Sequence, residues 1–207
     1  MFALVESGSI TKMLRGNKGI EIGGVKHPAS IFTLWSESER NAIGVYPVEI
    51  DETNNKDIRF YINTNITYAY DASAKKVKGT YGTATARAHA DTTWTSQDKT
   101  DNLIPEGKDV GDLKAEGLKT ILIREVKEQA QVELNKTDWY VTRKSEESTA
   151  IPSSITTHRQ AVRSKQASMC TAITNAADTA ALKTLYTYTT DSEGVTTRPL
   201  GEIPTID

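Results

Sequence analysis

A change of hydrophobic period near residue 110 constrains this chain more than any other feature. Before it, apolar residues alternate. The clearest run is DIRFYINTNITYAY (57–70), which places Ile58, Phe60, Ile62, Ile66 and Tyr68 on one face of a strand. After it, Leu113, Gly117, Leu118, Ile121, Leu122, Val126 and Ala130 recur at three- and four-residue steps, the period of a helix. Strands followed by helices predict an α+β chain, with a β-rich N-terminal domain, then a C-terminal helical hairpin and an extended tail. The expected divisions are a β-rich docking domain over 1–90, a polar linker over 91–109, the helical hairpin over 110–190 and the tail over 191–207.

Local signals fill in this outline. FALVES is a strand that starts at Phe2, and turn signals follow at Ser7-Gly8-Ser9, at Gly16 to Gly19 and at Gly23-Gly24. IFTLW (31–35) is a further apolar run. Ser36 with Glu39 makes a capping box for a short helix that Gly44 stops. VKGTYGTATARA (77–88) is a return strand that can pair with 57–70 as a hairpin. Asp109 or Asp112 caps the first long helix, which runs to about Leu134. Gly117 inside it marks either a close approach or a tolerated surface glycine. Residues 137–152 read as a polar connection. Pro152-Ser153 starts the next helix, whose stripe is Ile155, His158, Val162, Gln166 or Lys165, Met169 and Ile173. Asp178 caps a short last helix. The tail from Tyr186 has little periodicity, so it is expected to be extended or disordered unless a neighbouring chain orders it.

Composition bears on partners. Only 37 % of residues are hydrophobic, on the low side for a compact domain, so the core is thin and contacts with partners should complete the stability. The 25 basic and 27 acidic residues nearly cancel, which argues against a bulk nucleic-acid binder or a polybasic membrane binder. No apolar run approaches the roughly 18 residues of a membrane span. The N-terminal residues lack the basic start and apolar core of a secretory signal, so synthesis in a cytosol is expected. The single cysteine, Cys170, excludes an internal disulfide and reads as a small buried residue.

No catalytic, cofactor or metal residues are assigned. His27, His89 and His158 have no partner ligand at metal spacing, and His158 reads as a core histidine. GNKGIEIGG (16–24) matches neither a P-loop nor a dinucleotide fingerprint. There is no nucleophile elbow, and Glu146-Glu147 sits in a solvated stretch unsuited to acid–base work. Tyr61, Tyr68, Tyr70 and Tyr81 are good strand residues, or alternatively a carbohydrate-binding face. Arg159 and Arg163 share a helix side at i, i+4, with Lys165 near them and Arg143 upstream. They form either a solvated face with ion pairs to Glu146 or Glu147, or bidentate anchors for carboxylates on a neighbouring subunit.

Trp139, Arg143, Pro152, Arg159 and Arg163, in the frame DWYVTR…IPSSITTHRQAVR, resemble a pattern of tailed-bacteriophage tail-fibre, baseplate and fibre-assembly proteins. There an aspartate–aromatic segment leads through a proline into a helix reading Tyr-Arg-x-x-Leu-Arg. His158 stands here for the tyrosine and Val162 for the leucine. FALVES and IGVYPVE (43–49) also look like N-terminal modules of such proteins. The resemblance covers about a third of the chain. It implies a non-enzymatic structural protein of a phage tail, baseplate or tail-fibre junction, made in the host cytoplasm and carried in the virion. Its partners would be other tail or fibre proteins in a symmetric homo-oligomer or multi-copy assembly, with Trp139, Arg143, Arg159 and Arg163 as interface candidates. The alternatives are a tail-fibre assembly chaperone and a receptor- or glycan-binding tip, with a glycan hydrolase more distant.

Overall fold

The computed structural model describes residues 1–206. The chain is α+β, with sheet in its N-terminal part and helices in its C-terminal part. It divides into two compact units, the first ending at Thr85 and the second starting at Ala86.

The first unit opens with a hairpin of β1 (Phe2–Glu6) and β2 (Ser9–Leu14). Ser7 and Gly8 both have positive φ, 50° and 80°, the turn whose twist matches paired strands. Gly23 and Gly24 do the same between β3 (Ile20–Ile22) and β4 (Val25–His27). The IFTLW run folds as one helical turn, α1 (Ile31–Leu34), which buries Ile31 and Phe32. Next comes α2 (Glu37–Ala42), with the predicted capping box complete: Ser36 Oγ accepts from Glu39 N–H, and the Glu39 carboxylate accepts from Ser36 N–H. Those bonds from Ser36 hold the Glu39 carboxyl below its usual range.

The sheet is completed by β5 (Val45–Asp51), β7 (Ile66–Asp71) and β8 (Lys76–Tyr81), in the order β2-β1-β5-β8-β7. The two-residue strands β6 (Tyr61–Ile62) and β9 (Thr85–Ala86) flank the β7–β8 hairpin in sequence. β5 changes partner along its length. Val45 to Pro47 pair antiparallel with β1, and Val48 to Asp51 pair parallel with β8. Pro47, which has no N–H to donate, falls at that handover. β1 is covered on both faces. Leu4 joins Leu14, Ile20, Ile31, Phe32 and Val45 in one core, while Ala3 and Val5 meet Val77 in the other.

The structure breaks the long strand expected over 57–70. The Asp57 carboxylate accepts from Arg59 N–H, and its carbonyl accepts from Phe60 and Tyr61 N–H. This local turn outcompetes a sheet ladder. Phe60 is 1 % exposed, yet Ile58 and Ile62 are 70 % and 55 % exposed, so the alternation does not mark one buried face. The hairpin of the two runs does form, with Tyr70 opposite Val77.

In the second unit, residues 91–109 are not a linker. They hold β10 (Thr92–Thr93) and α3 (Ser96–Thr100), and β10 pairs with β11 (Leu113–Ala115). Thr95 and Asp98 form a second capping box, and Asp98 also takes an ion pair from Lys114. These bonds, Lys114 first and then Thr95, hold the Asp98 carboxyl at about 2. The polar residues that read as a linker are turn formers whose side chains bond nearby backbone.

Helix α4 (Leu118–Asn135) starts at Gly117 rather than at Asp109 or Asp112. A Cβ at Gly117 would stand 2.7 Å from Asp91 N and closer still to the Ala90 carbonyl. Gly117 is therefore the mark of a close backbone approach, and its N–H donates to Asp91 Oδ1 at 2.7 Å. The expected polar connection over 137–152 contains a helix, α5 (Asp138–Glu147), ended by Ser148 at φ 57°. It leads to α6 (Ser153–Asn175) and α7 (Thr179–Tyr186), the latter capped by Asp178 as its position predicts. α4 and α6 run antiparallel, since Lys119 Nζ reaches Thr174 O at one end and Arg159 reaches Leu134 O at the other. Leu118, Leu122, Val126 and Ala130 on α4 and Ile155, Val162, Met169 and Ile173 on α6 are all buried. Each of the larger ones contributes roughly 1.5–3 kcal/mol of burial.

The tail needs no neighbouring chain to order it. It forms a small hairpin of β12 (Thr189–Thr190) and β13 (Thr196–Thr197). Leu200 is then 2 % exposed, and its N–H donates to Leu185 O at 3.0 Å. The Arg198 guanidinium lies over the Tyr186 and Tyr188 rings and pairs with Glu202.

Candidate functional site

The residues singled out by sequence converge on α5 and the start of α6, but they divide into an inner and an outer set. Arg159 belongs to the inner set. It is 8 % exposed, and its Nη1 donates to Leu134 O at 2.8 Å and Thr137 Oγ1 at 2.7 Å, with Asp138 Oδ1 at 2.8 Å. Its partners are the last turn of α4 and the first residues of α5. The guanidinium thus joins the Thr137 amide and hydroxyl in satisfying a carbonyl of the α4 end. The sequence reading makes Arg159 an anchor for a neighbouring subunit or part of a solvated face; the structure places it largely buried, with its Nη1 engaged within its own unit.

A second polar knot adjoins it. Glu133, 4 % exposed, accepts from Lys136 Nζ at 2.7 Å and from Ile206 N–H at 2.6 Å, with His158 Nε2 at 3.3 Å but out of line for a hydrogen bond. The Lys136 ammonium, then the Ile206 amide, hold the Glu133 carboxyl below its usual range against the opposing effect of burial. His158 therefore sits beside a buried carboxylate rather than in a purely apolar core. Glu133 was missed in the sequence, although a signal exists. It continues the stripe Leu118, Leu122, Val126 and Ala130 by one more three-residue step. A carboxylate on an apolar stripe announces a buried partner.

The outer set is aromatic. Trp139 and Tyr140 stack with ring centroids 3.8 Å apart, and the Arg143 guanidinium lies over both, 4.6 Å and 5.3 Å from their centroids. The spacing follows from the helix, because residues three and four apart share a side. Trp139 is 51 % exposed, while Tyr140 and Arg143 are half-buried, so the stack presents Trp139 to solvent over a partly buried base. No carboxylate among the described residues pairs with Arg143, so the ion pairs to Glu146 or Glu147 do not form. Arg163, four residues after Arg159, is exposed and likewise has no ion pair among the described residues.

Among the described residues, no group of three or more His, Cys, Asp and Glu side chains could hold a metal ion. No helix of the described residues is long and apolar enough to cross a membrane. No family model, curated protein or solved structure matches this chain.

Proposed function

We propose that the chain is a non-enzymatic structural protein of a tailed-phage tail, in the baseplate or at the tail-fibre junction, where it connects neighbouring subunits. The observation that carries this reading is the stack of Trp139, Tyr140 and Arg143, which presents an exposed Trp139 on two half-buried neighbours. Trp, Tyr and Arg are the residue types that dominate binding energy at protein interfaces. Here they are held in one geometry on a helix, which reduces the ordering cost of binding by about 0.5–1.5 kcal/mol per side chain already fixed. The inner knot supports the same reading, since Arg159 and Asp138 tie the first turn of α5 to α6 and give the stack a rigid base. The stack also lies within the segment that resembles tail proteins. Two compact units in one chain suit a part that touches two neighbours.

Peptide mass spectrometry on purified, intact particles tests the proposal. Stoichiometric peptides of this chain are expected in the particles, and a W139A/R143A chain should fold but be depleted from them. Wild-type chain found in infected-cell lysate yet absent from particles would replace the structural role with that of an assembly chaperone.

A further inference from the structure

The end of β2 carries a second feature, in the other unit and independent of the tail-protein reading. A cavity of about 470 Å³ is lined by Lys12, Met13 and Leu14, by the loop Arg15 to Gly19, by Ile20 and by Phe32. That volume lies within the range of small-molecule sites. Its wall contains three cations and no acidic residue, in a chain whose net charge is −2. Lys12, Arg15 and Lys18 are all exposed, and none has a carboxylate partner among the described residues. Exposed cations without an ion pair among the described residues also occur singly elsewhere in this unit, as at Lys26 and Lys75, so what distinguishes this place is that three of them line one cavity. The backbone N–H groups of Gly16, Asn17 and Lys18 also have no acceptor among the described residues.

We propose that this cavity binds a phosphate group, carried by a small soluble molecule or by a lipid headgroup. Three like charges around one cavity repel each other until an anion neutralises them, and a compact anion with more than one charge does so best. A phosphate monoester brings about −1.5 to −2 charge and three acceptor oxygens. A carboxylate brings one charge and two oxygens, too few for three cations and the loop amides together. The Arg15 fork suits bidentate phosphate contact, and the two lysines act as point charges. Leu14, Ile20 and Phe32 are buried beneath the cavity and Met13 is 37 % exposed, so an apolar wall is present for the organic part of the ligand.

The test uses the full chain and inorganic pyrophosphate at low salt, followed by amide chemical shifts. Shifts confined to residues 12–20 and 32 are expected, saturating with concentration. K12Q, R15Q and K18Q should each weaken binding about fivefold, and the triple variant roughly a hundredfold. Its far-UV circular dichroism should be unchanged, because all three side chains are exposed. Vesicles containing an anionic phospholipid give the second arm. Retention on them that the triple variant loses assigns the phosphate to a lipid headgroup. Pyrophosphate binding without vesicle retention assigns it to a soluble molecule. Two results overturn the proposal: no localised shifts and no vesicle retention with the wild-type chain, or a triple variant that binds as tightly as wild type. Neither result touches incorporation into particles.

Discussion

Arginines 159 and 163 look alike in sequence, yet their replacement should have very different consequences. Arg159→Ala removes a charged donor from Leu134 O and from Thr137 Oγ1, and Thr137 is 2 % exposed. Two hydrogen bonds to a charged group are worth about 1.5–3 kcal/mol each. Thr137 Oγ1 and Thr137 N–H still donate to Leu134 O, at 3.0 Å and 3.1 Å, so that carbonyl keeps partners and the loss stays at the low end. Asp138, whose side chain is 50 % exposed, can rehydrate, so its lost ion pair adds little. The sum is a destabilisation of about 3 kcal/mol. Arg163→Ala removes an exposed side chain without an ion pair among the described residues and should change stability by less than about 0.5 kcal/mol. Urea unfolding followed by circular dichroism at the helical band reads both, since the long helices belong to the second unit. With an m-value of about 2 kcal/mol/M, Arg159→Ala should lower the midpoint of the helical transition by about 1.5 M. Arg159→Lys should recover only part of the loss, because the lysine side chain is one bond shorter and sets its ammonium short of the Nη1 position that meets these acceptors. If Arg159→Ala and Arg163→Ala unfold at the same urea concentration, the assignment of Arg159 as a buried tie between α4, α5 and α6 is wrong.

Other perturbations probe the remaining elements. Asp98 has a folded-state value of about 2 against 3.8 for the free group, so its contribution is fully present above pH 4 and is lost as pH falls towards 2. The urea midpoint of wild type should therefore fall towards that of Asp98→Asn over this window, and a constant gap between them would refute the assignment. Gly117→Ala drives a methyl into the Ala90 and Asp91 backbone and should cost about 1–3 kcal/mol, despite φ and ψ that alanine tolerates, as a thermal melt would show. Glu133→Ala removes the acceptor of the Ile206 amide, so hydrogen exchange over residues 200–206 should accelerate at least tenfold while the α4 core stays protected. Unchanged exchange there would mean that Glu133 does not hold the tail.

The sequence was most legible where one local signal suffices. The capping box at Ser36, the turns at Ser7-Gly8 and Gly23-Gly24, the Pro152 helix start and the Asp178 cap each rest on a few adjacent residues, and each forms. Reading failed where polar side chains bond their own backbone. Asp57 splits a run whose alternation looked continuous, and Thr95 with Asp98 folds a stretch that looked like a linker. Helix α5 was hidden because none of its residues is buried and its Trp139, Tyr140 and Val141 are adjacent in sequence, so no apolar stripe at helical spacing announces it. Trp139 and Arg143 stood out only through the resemblance, because their i, i+4 pairing needs the helix that the sequence hides. Arg159 was legible as a special residue but not as a buried one, because its burial depends on Thr137 and Leu134 in a different helix turn.

The partner change along β5 has a consequence during synthesis. When β1, β2 and β5 have left the ribosome, the second half of β5 still lacks the strand that will cover it, because Val48 waits for Val77. At 5–20 residues per second this leaves an open edge for about 2–6 s. Glu49 and Asp51 lie on that half-strand and pair later with Lys78 and Thr80. Until then, the two carboxylates place negative charge on the uncovered strand of every nascent copy, so two such edges on one polysome repel rather than join.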